Sequence, residues 1–192
     1  CSKMCIEDRI KLSNDTSCVF TVKWISFGGS LARPEATGFS TVYFAEEMLK
    51  TRGDSFTGKT VSISGSGNVA QYAAEKAMFL GAKVVTLSDS NGTVYLKNGF
   101  SKALLDEVME LKNVKRGRIS EFASKHGFEY FEGKRPWSIQ CDIALPCATQ
   151  NELTAEDAEI LIKNGVICVA EGANMPSTLE AVEKFIEAKI LY

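Results

Sequence analysis

The sequence has little of what most hydrolytic and metal-dependent sites are built from. It holds one histidine, His126, among 192 residues. That removes most Ser-His-Asp and Cys-His nucleophile schemes. No Cys-x-x-Cys pair occurs, and His126 is remote in sequence from every cysteine, so a structural zinc site of familiar spacing is not expected. No apolar run approaches the ~18 residues that span a bilayer. The formal net charge of -2 gives no electrostatic reason for a nucleic-acid or anionic-membrane partner. No charged-then-apolar leader opens the chain, so a cytoplasmic, soluble protein is expected. Low-complexity tracts and internal repeats are also missing. With 45% hydrophobic and 24% charged residues the chain has apolar surface enough to offset its entropy, which excludes a disordered class. Its length suits one full-sized core or two small ones.

Six cysteines are present, but Cys141, Cys147 and Cys168 sit in or beside apolar runs, where a free thiol behaves as a small hydrophobe. Reduced, buried thiols are therefore expected rather than a disulfide framework. His126 precedes Gly127 at an expected helix end, where a cation suits the negative terminus.

Along the chain, residues 1–10 show no period and read as a lead-in. Residues 18–27 are apolar and β-rich, and end at Gly28-Gly29. SLARPEATGFS reads as a loop from its Pro and Gly content, and a helix is expected from Thr41 to about Thr51. A regular alternation follows. KTVSISG (59–65) and KVVTLS (83–88) read as strands on either side of a helix over 68–80, whose apolar face is Val69, Ala73, Ala77 and Leu80. Asn91-Gly92 and Asn98-Gly99 flank TVYLK, which predicts a small antiparallel excursion. Ser101 is placed to cap a helix carrying Leu104, Leu105, Val108 and Leu111. A short helix from Ile119 and a strand at FEYF come next, then a strand at DIALPC (142–147). Thr154/Asp157 and Ser177/Glu180 have capping-box spacing before two further helices, separated by a strand at VICVA; the closing ILY resembles a strand beginning. Strands alternating with helices of this length predict an α/β, doubly wound, mostly parallel sheet with helices on both faces. The expected division is an entry segment over 1–27 and a Rossmann-like domain over 28–192.

The strongest local signal is Gly65-Ser66-Gly67-Asn68-Val69-Ala70, a G-x-G-x-x-A that follows a strand and opens a helix. The first glycine permits a tight turn, the second lets backbone approach a pyrophosphate, and the small sixth residue lets the helix pack close on the strand. The helix N-terminus then offers N–H groups and a positive dipole end to phosphate. A glycine turn that binds nothing is the plain alternative. At the end of the next strand stand Ser88, Asp89, Ser90 and Asn91. Asp89 alone favours NAD, because an acidic residue there accepts from the ribose hydroxyls and repels a 2′-phosphate. The neutral donors around it and the cations Lys112, Lys115 and Arg116 favour NADP, unless those cations only cap a solvated helix end. Local chemistry leaves the two coenzymes even. Thr149 and Gln150 follow one later strand and Asn174 another, where ligands of such folds sit; ordinary loop capping is their alternative role.

Several stretches resemble the NADP-type glutamate dehydrogenases of the hexameric class: KLSNDTSCVFT, SFGGSLARPEATG, VSISGSGNVAQYAAEKAM, TLSDSNGTVY, DIALPCATQNEL and AEGANMPST. The resemblance runs from about Lys11 to Tyr192. It implies NADP as cofactor and reversible oxidative deamination of L-glutamate to 2-oxoglutarate and ammonia. It implies that Thr37 and Asn68 contact NADP, the latter within the turn Gly65, Ser66, Gly67, Asn68, Val69; that Ser88, Asp89 and Ser90 form the adenosine-ribose segment; that Lys112 meets the 2′-phosphate, with Lys115 nearby; and that Ala148, Thr149, Gln150 and Asn174 lie on the nicotinamide side. It further implies a homo-hexamer for the intact enzyme. The family's catalytic lysine and aspartate and its substrate-binding lysines lie in a separate upstream domain with no matching stretch here, and a substrate-contacting serine and closing helices lie downstream. The chain is therefore expected to be the cofactor domain of such an enzyme, truncated at its C-terminus and inactive by itself, since hydride transfer needs the reacting atoms held at about 3–3.5 Å. A non-catalytic nucleotide-binding or interaction module on the same fold is the alternative. Val22, Trp24 and Ser40 stand where the family has small residues, and residues 1–10 do not match.

Overall fold

The structure is a computed structural model that describes residues 33–192 together with Ile25. The expectations for 1–10 and for the apolar run 18–27, with Val22 and Trp24, fall outside the described residues, Ile25 apart. The chain divides into Cys1–Ala36 and Thr37–Tyr192, and the second unit carries the sheet.

A six-stranded sheet has the order β4-β3-β2-β1-β5-β6. Its strands are β1 (Thr60–Ile63), β2 (Lys83–Asp89), β3 (Gly92–Tyr95), β4 (Glu129–Glu132), β5 (Ile143–Leu145) and β6 (Cys168–Val169). β1 pairs in parallel with β2 and with β5, and β5 pairs in parallel with β6. β3 and β4 run antiparallel, which is the expected excursion. Helices α1 (Arg33–Lys50), α2 (Asn68–Phe79), α3 (Lys102–Asn113), α4 (Ile119–His126), α5 (Ala155–Lys163) and α6 (Leu179–Glu187) are interspersed among the strands. Among the described residues no helix is long and apolar enough to cross a membrane.

Alternation along the strands sorts side chains into two cores. Val61, Ile63, Val84, Leu87, Ile143 and Leu145 face a cluster with α1–α4 residues such as Leu49, Ala73 and Leu105. Ala144 and Val169 face the other cluster, with Trp137, Leu161 and Phe185. Each fully buried Leu, Ile or Phe contributes roughly 1.5–3 kcal/mol relative to exposure. Cys141, Cys147 and Cys168 are free and buried, and burial raises the thiol pKa of Cys141 and Cys168 to about 12. They pack as hydrophobes, as the sequence suggests.

Two local readings are corrected. Residues 33–40 are helical, not a loop, because Pro34 lies in the first turn, where a missing N–H costs no hydrogen bond, and Gly38 is buried mid-helix. The last helix is capped by Thr178, whose Oγ1 accepts from the Ala181 N–H; Ser177 instead gives its N–H to Glu171 Oε1 at 3.1 Å. Other caps follow expectation: Ser101 accepts from Leu104 N–H, and Thr154 and Asp157 form a reciprocal box. His126 closes α4, 3.0 Å from Glu107 Oε2 and stacked on Phe128 at 5.2 Å, so it has a packing role.

Candidate functional site

The strand order reverses at β1: β2 lies on one side and β5 on the other. In open α/β sheets ligands bind beyond the carboxyl ends of the strands at such a point. The structure brings there the turn Gly65–Val69 after β1, the segment Ser88–Ser90 closing β2, and Ala148–Gln150 after β5. Gly65 has φ +83° and a Cβ there would lie 3.0 Å from the Cys147 carbonyl oxygen and 3.2 Å from Ala148 Cα. Backbone meets backbone across the switch point, so only glycine fits. Gly67 is different: a Cβ on it would meet nothing within 4 Å. It lies at the N-cap of α2, where the first-turn amides and the positive dipole end are presented. These features suit an approaching anionic group such as a pyrophosphate.

The turn is wired from beneath. Ser88 Oγ accepts the Gly65 N–H at 2.8 Å, and the Ser88 N–H donates to the Gly65 carbonyl at 3.0 Å. Ser88 is thus buried under the turn. Gln71, fully buried on α2, donates from Nε2 to the Ser66 carbonyl at 2.8 Å and exchanges amide bonds with Asn113 of α3. No sequence signal singles out Gln71 or Asn113, since the pair spans 42 residues.

Asp89 resolves the ambiguity of its own charge. Its Oδ2 accepts the Ile119 N–H at 2.9 Å at the start of α4, and its Oδ1 accepts the Asn91 N–H at 2.9 Å. Lys112 Nζ lies 3.5 Å from Oδ2 and donates to the Gly117 carbonyl at 3.0 Å. The carboxylate is 8% exposed and engaged within the protein, so it makes a weak barrier to a phosphate. Lys112 is mostly spent on that pair. At the hairpin tip Arg118 Nη1 donates to Ser90 Oγ at 3.0 Å, which places beside the Ser88–Ser90 segment a guanidinium that local sequence chemistry does not identify. Lys115 pairs with Glu110 at 3.0 Å instead of joining this group.

A cleft of about 410 Å³ runs between the Ser88–Ser90 segment and the loop after β5, lined among others by Ser90, Lys134, Arg135, Thr149 and Glu152. A larger hollow of about 690 Å³ between α3 and α4 has charges paired with one another, Lys125 with Glu107 at 2.6 Å and Lys115 with Glu110, and neither the Ser88–Ser90 segment nor the loop after β5 lines it. Glu152, which no sequence motif marks, is 3% exposed; burial holds its carboxyl above the ordinary range. Thr149, Gln150 and Asn174 are exposed in loops that are bonded together, Asn151 N–H to the Met175 carbonyl at 3.0 Å. Thr37 lies on α1; Thr41, one turn on, donates to its carbonyl at 2.9 Å and sits where a Cβ on Gly172 would be 3.3 Å from its hydroxyl. That brings α1 beside the loop after β6. Asn68 opens α2 at the exposed end of the turn, and Val69 packs beneath it on the core.

Comparison with known proteins agrees with this fold. A sequence model of the glutamate/leucine/phenylalanine/valine dehydrogenases matches residues 28–192. The NADP-specific glutamate dehydrogenase of Haemophilus influenzae is 63% identical over 182 residues, 95% of this chain and 40% of that protein. The NAD(P)-specific glutamate dehydrogenase of Xylanibacter ruminicola is 57% identical over the same length. The crystal structure of Plasmodium falciparum glutamate dehydrogenase superposes with a TM-score of 0.89 at 44% identity, covering 97% of this chain and 40% of that one. The chain thus spans about two fifths of the length of these relatives.

Proposed function

The chain belongs to the glutamate/leucine/phenylalanine/valine dehydrogenase family, and from that premise we propose that it is the NADP-binding domain of a glutamate dehydrogenase. The protein containing it would interconvert L-glutamate and 2-oxoglutarate plus ammonia, with hydride exchanged at the nicotinamide when NADP is bound. The observation that carries the reading is the switch-point turn: Gly65 locked against Cys147 and Ala148, with open space at Gly67. The α2 amides would hold the pyrophosphate, and the Ser90 hairpin would hold the adenosine ribose. The 2′-phosphate falls to Arg118, supported by Lys112 from behind Asp89. Thr149, Gln150 and Asn174 would orient the nicotinamide end, with Thr37 closing from α1. In this chain the residues bind and orient coenzyme; proton transfer and glutamate capture belong to the remainder of such an enzyme, as does its homo-oligomeric assembly. The name of the Haemophilus relative favours NADP over NAD, and the internally compensated Asp89 removes the main objection.

Fluorescence titration tests this. NADPH is expected to bind with micromolar affinity and NADH more weakly. Arg118→Ala should lower NADPH affinity on the order of tenfold, the loss of one charge-assisted phosphate contact, and leave NADH within about twofold. Equal loss for both coenzymes would take Arg118 away from the phosphate, and no binding of either by the wild type would refute the reading. A Lys112→Glu exchange is the less clean test, because it sets a second carboxylate against Asp89 and weakens the fold as well.

A further inference from the structure

Glu152 is a buried carboxylate that the coenzyme contacts above do not use. Its Oε1 collects three donors: Ser64 Oγ at 2.8 Å, Ala148 N–H at 2.9 Å and Thr149 N–H at 3.4 Å. Ser64 Oγ in turn accepts the Cys147 N–H at 2.9 Å. One oxygen therefore gathers three consecutive backbone amides, 147 to 149, the first through Ser64 at the end of β1. The backbone of Glu152 is itself anchored, since its carbonyl accepts from Arg135 Nη1 and from Trp137 Nε1 at 3.3 Å. Ser64 and Glu152 are 88 residues apart, so this node ties the two strands that flank the switch point.

We infer that Glu152 is a positioning residue: its carboxylate holds the Cys147–Thr149 backbone in the shape against which Gly65 turns and on which coenzyme lies. This deepens the coenzyme reading of the site and rests on it. The physical case is the cost of the arrangement. A carboxylate 3% exposed is expensive unless its charge is met by donors. Here two of the three donors are the loop's own amides, so loop geometry and carboxylate are mutually dependent. If the loop opened, the anion would lose the two amide hydrogen bonds from Ala148 and Thr149; if the anion were removed, those amides would be left without that acceptor. The titratable groups facing it are Arg135, from the segment before the Pro136–Ser138 turn, and the Cys147 thiol, which burial keeps protonated.

Two measurements on the 192-residue chain test it. In amide-resolved NMR, the Ala148 and Thr149 N–H resonances are expected to titrate together, with a midpoint above the ordinary glutamate value of about 4.3, and to lose that titration in Glu152→Gln. Glu152→Ala should weaken NADPH by at least about tenfold, whereas Glu152→Gln, which keeps an acceptor oxygen in place, should stay within about threefold. Amides that ignore pH in the wild type, or Glu152→Ala binding NADPH as tightly as wild type, would overturn the inference. The amide titration needs no coenzyme, so it tests the hold of Glu152 on these amides even if the wild type fails to bind NADPH and the coenzyme reading falls. Should Glu152→Ala not fold, the titration in wild type and Glu152→Gln still decides whether the carboxylate holds these amides.

Discussion

Gly67→Val should abolish NADPH binding, by at least about a hundredfold, while the protein still folds. The two halves of that expectation come from the same geometry. Gly67 has φ -84° and ψ -167°, extended backbone that valine adopts without strain. A Cβ there meets no protein atom within 4 Å. The fold loses only the small advantage of glycine over valine at an N-cap, about 0.5–1 kcal/mol, which moves Tm by about 2–4 °C per kcal/mol in a domain of this size. The branched side chain instead fills the space in front of the α2 amides. A pyrophosphate held there would be displaced by the width of two methyl groups, beyond the reach of every amide at once. Fluorescence titration and a thermal melt on the same sample separate the two effects. Unchanged affinity would mean the coenzyme does not lie over this turn. A collapsed melt would mean that the open space is needed by the protein itself.

What is legible in the sequence is what repeats locally. KTVSISG and KVVTLS show β-branched runs between glycines, and the helix between them keeps a 3.6-residue face that the structure buries at Ala73 and Ala77. Asn91-Gly92 marks a turn because glycine supplies the backbone it needs, and β2 and β3 pair across it. The glycine fingerprint is legible for the same reason. What stays hidden is long-range. Asp89 reads as a free acid until it is seen bonded to Ile119, 30 residues on. Glu152 looks like one more polar residue in ATQNEL until β1 brings Ser64 against it. Arg118 reads as one basic residue among several until the β2–β3 hairpin delivers Ser90 to it. The start of α1 misleads for a subtler reason. Pro34 and Gly38 are helix breakers by propensity, and propensity yields when a proline falls in the first turn and a glycine falls at a helix crossing.

That crossing makes Gly38 a position where a single methyl group should harm the fold. On propensity alone Gly38→Ala would stabilise α1 by about 0.5–1 kcal/mol. Packing opposes it. A Cβ at Gly38 would lie 2.6 Å from Ala73 N, 2.6 Å from Val69 O and 2.8 Å from Tyr72 Cβ. Two of these are backbone atoms of α2, which cannot rotate away as a side chain would. The helices must separate, and the Phe39–Tyr72 edge contact at 5.9 Å and the burial of Val42 and Ala45 loosen with them. Overpacking of this kind costs about 1–3 kcal/mol, more than the propensity gain, so Tm should fall by several degrees. The strain also reaches the first turn of α2, because Val69 is the residue that follows Asn68 in the fingerprint. NADPH affinity should therefore drop together with stability, whereas Gly67→Val separates the two. A Gly38→Ala protein with a raised Tm and unaltered binding would show that α1 does not pack as closely on α2 as 2.6 Å requires.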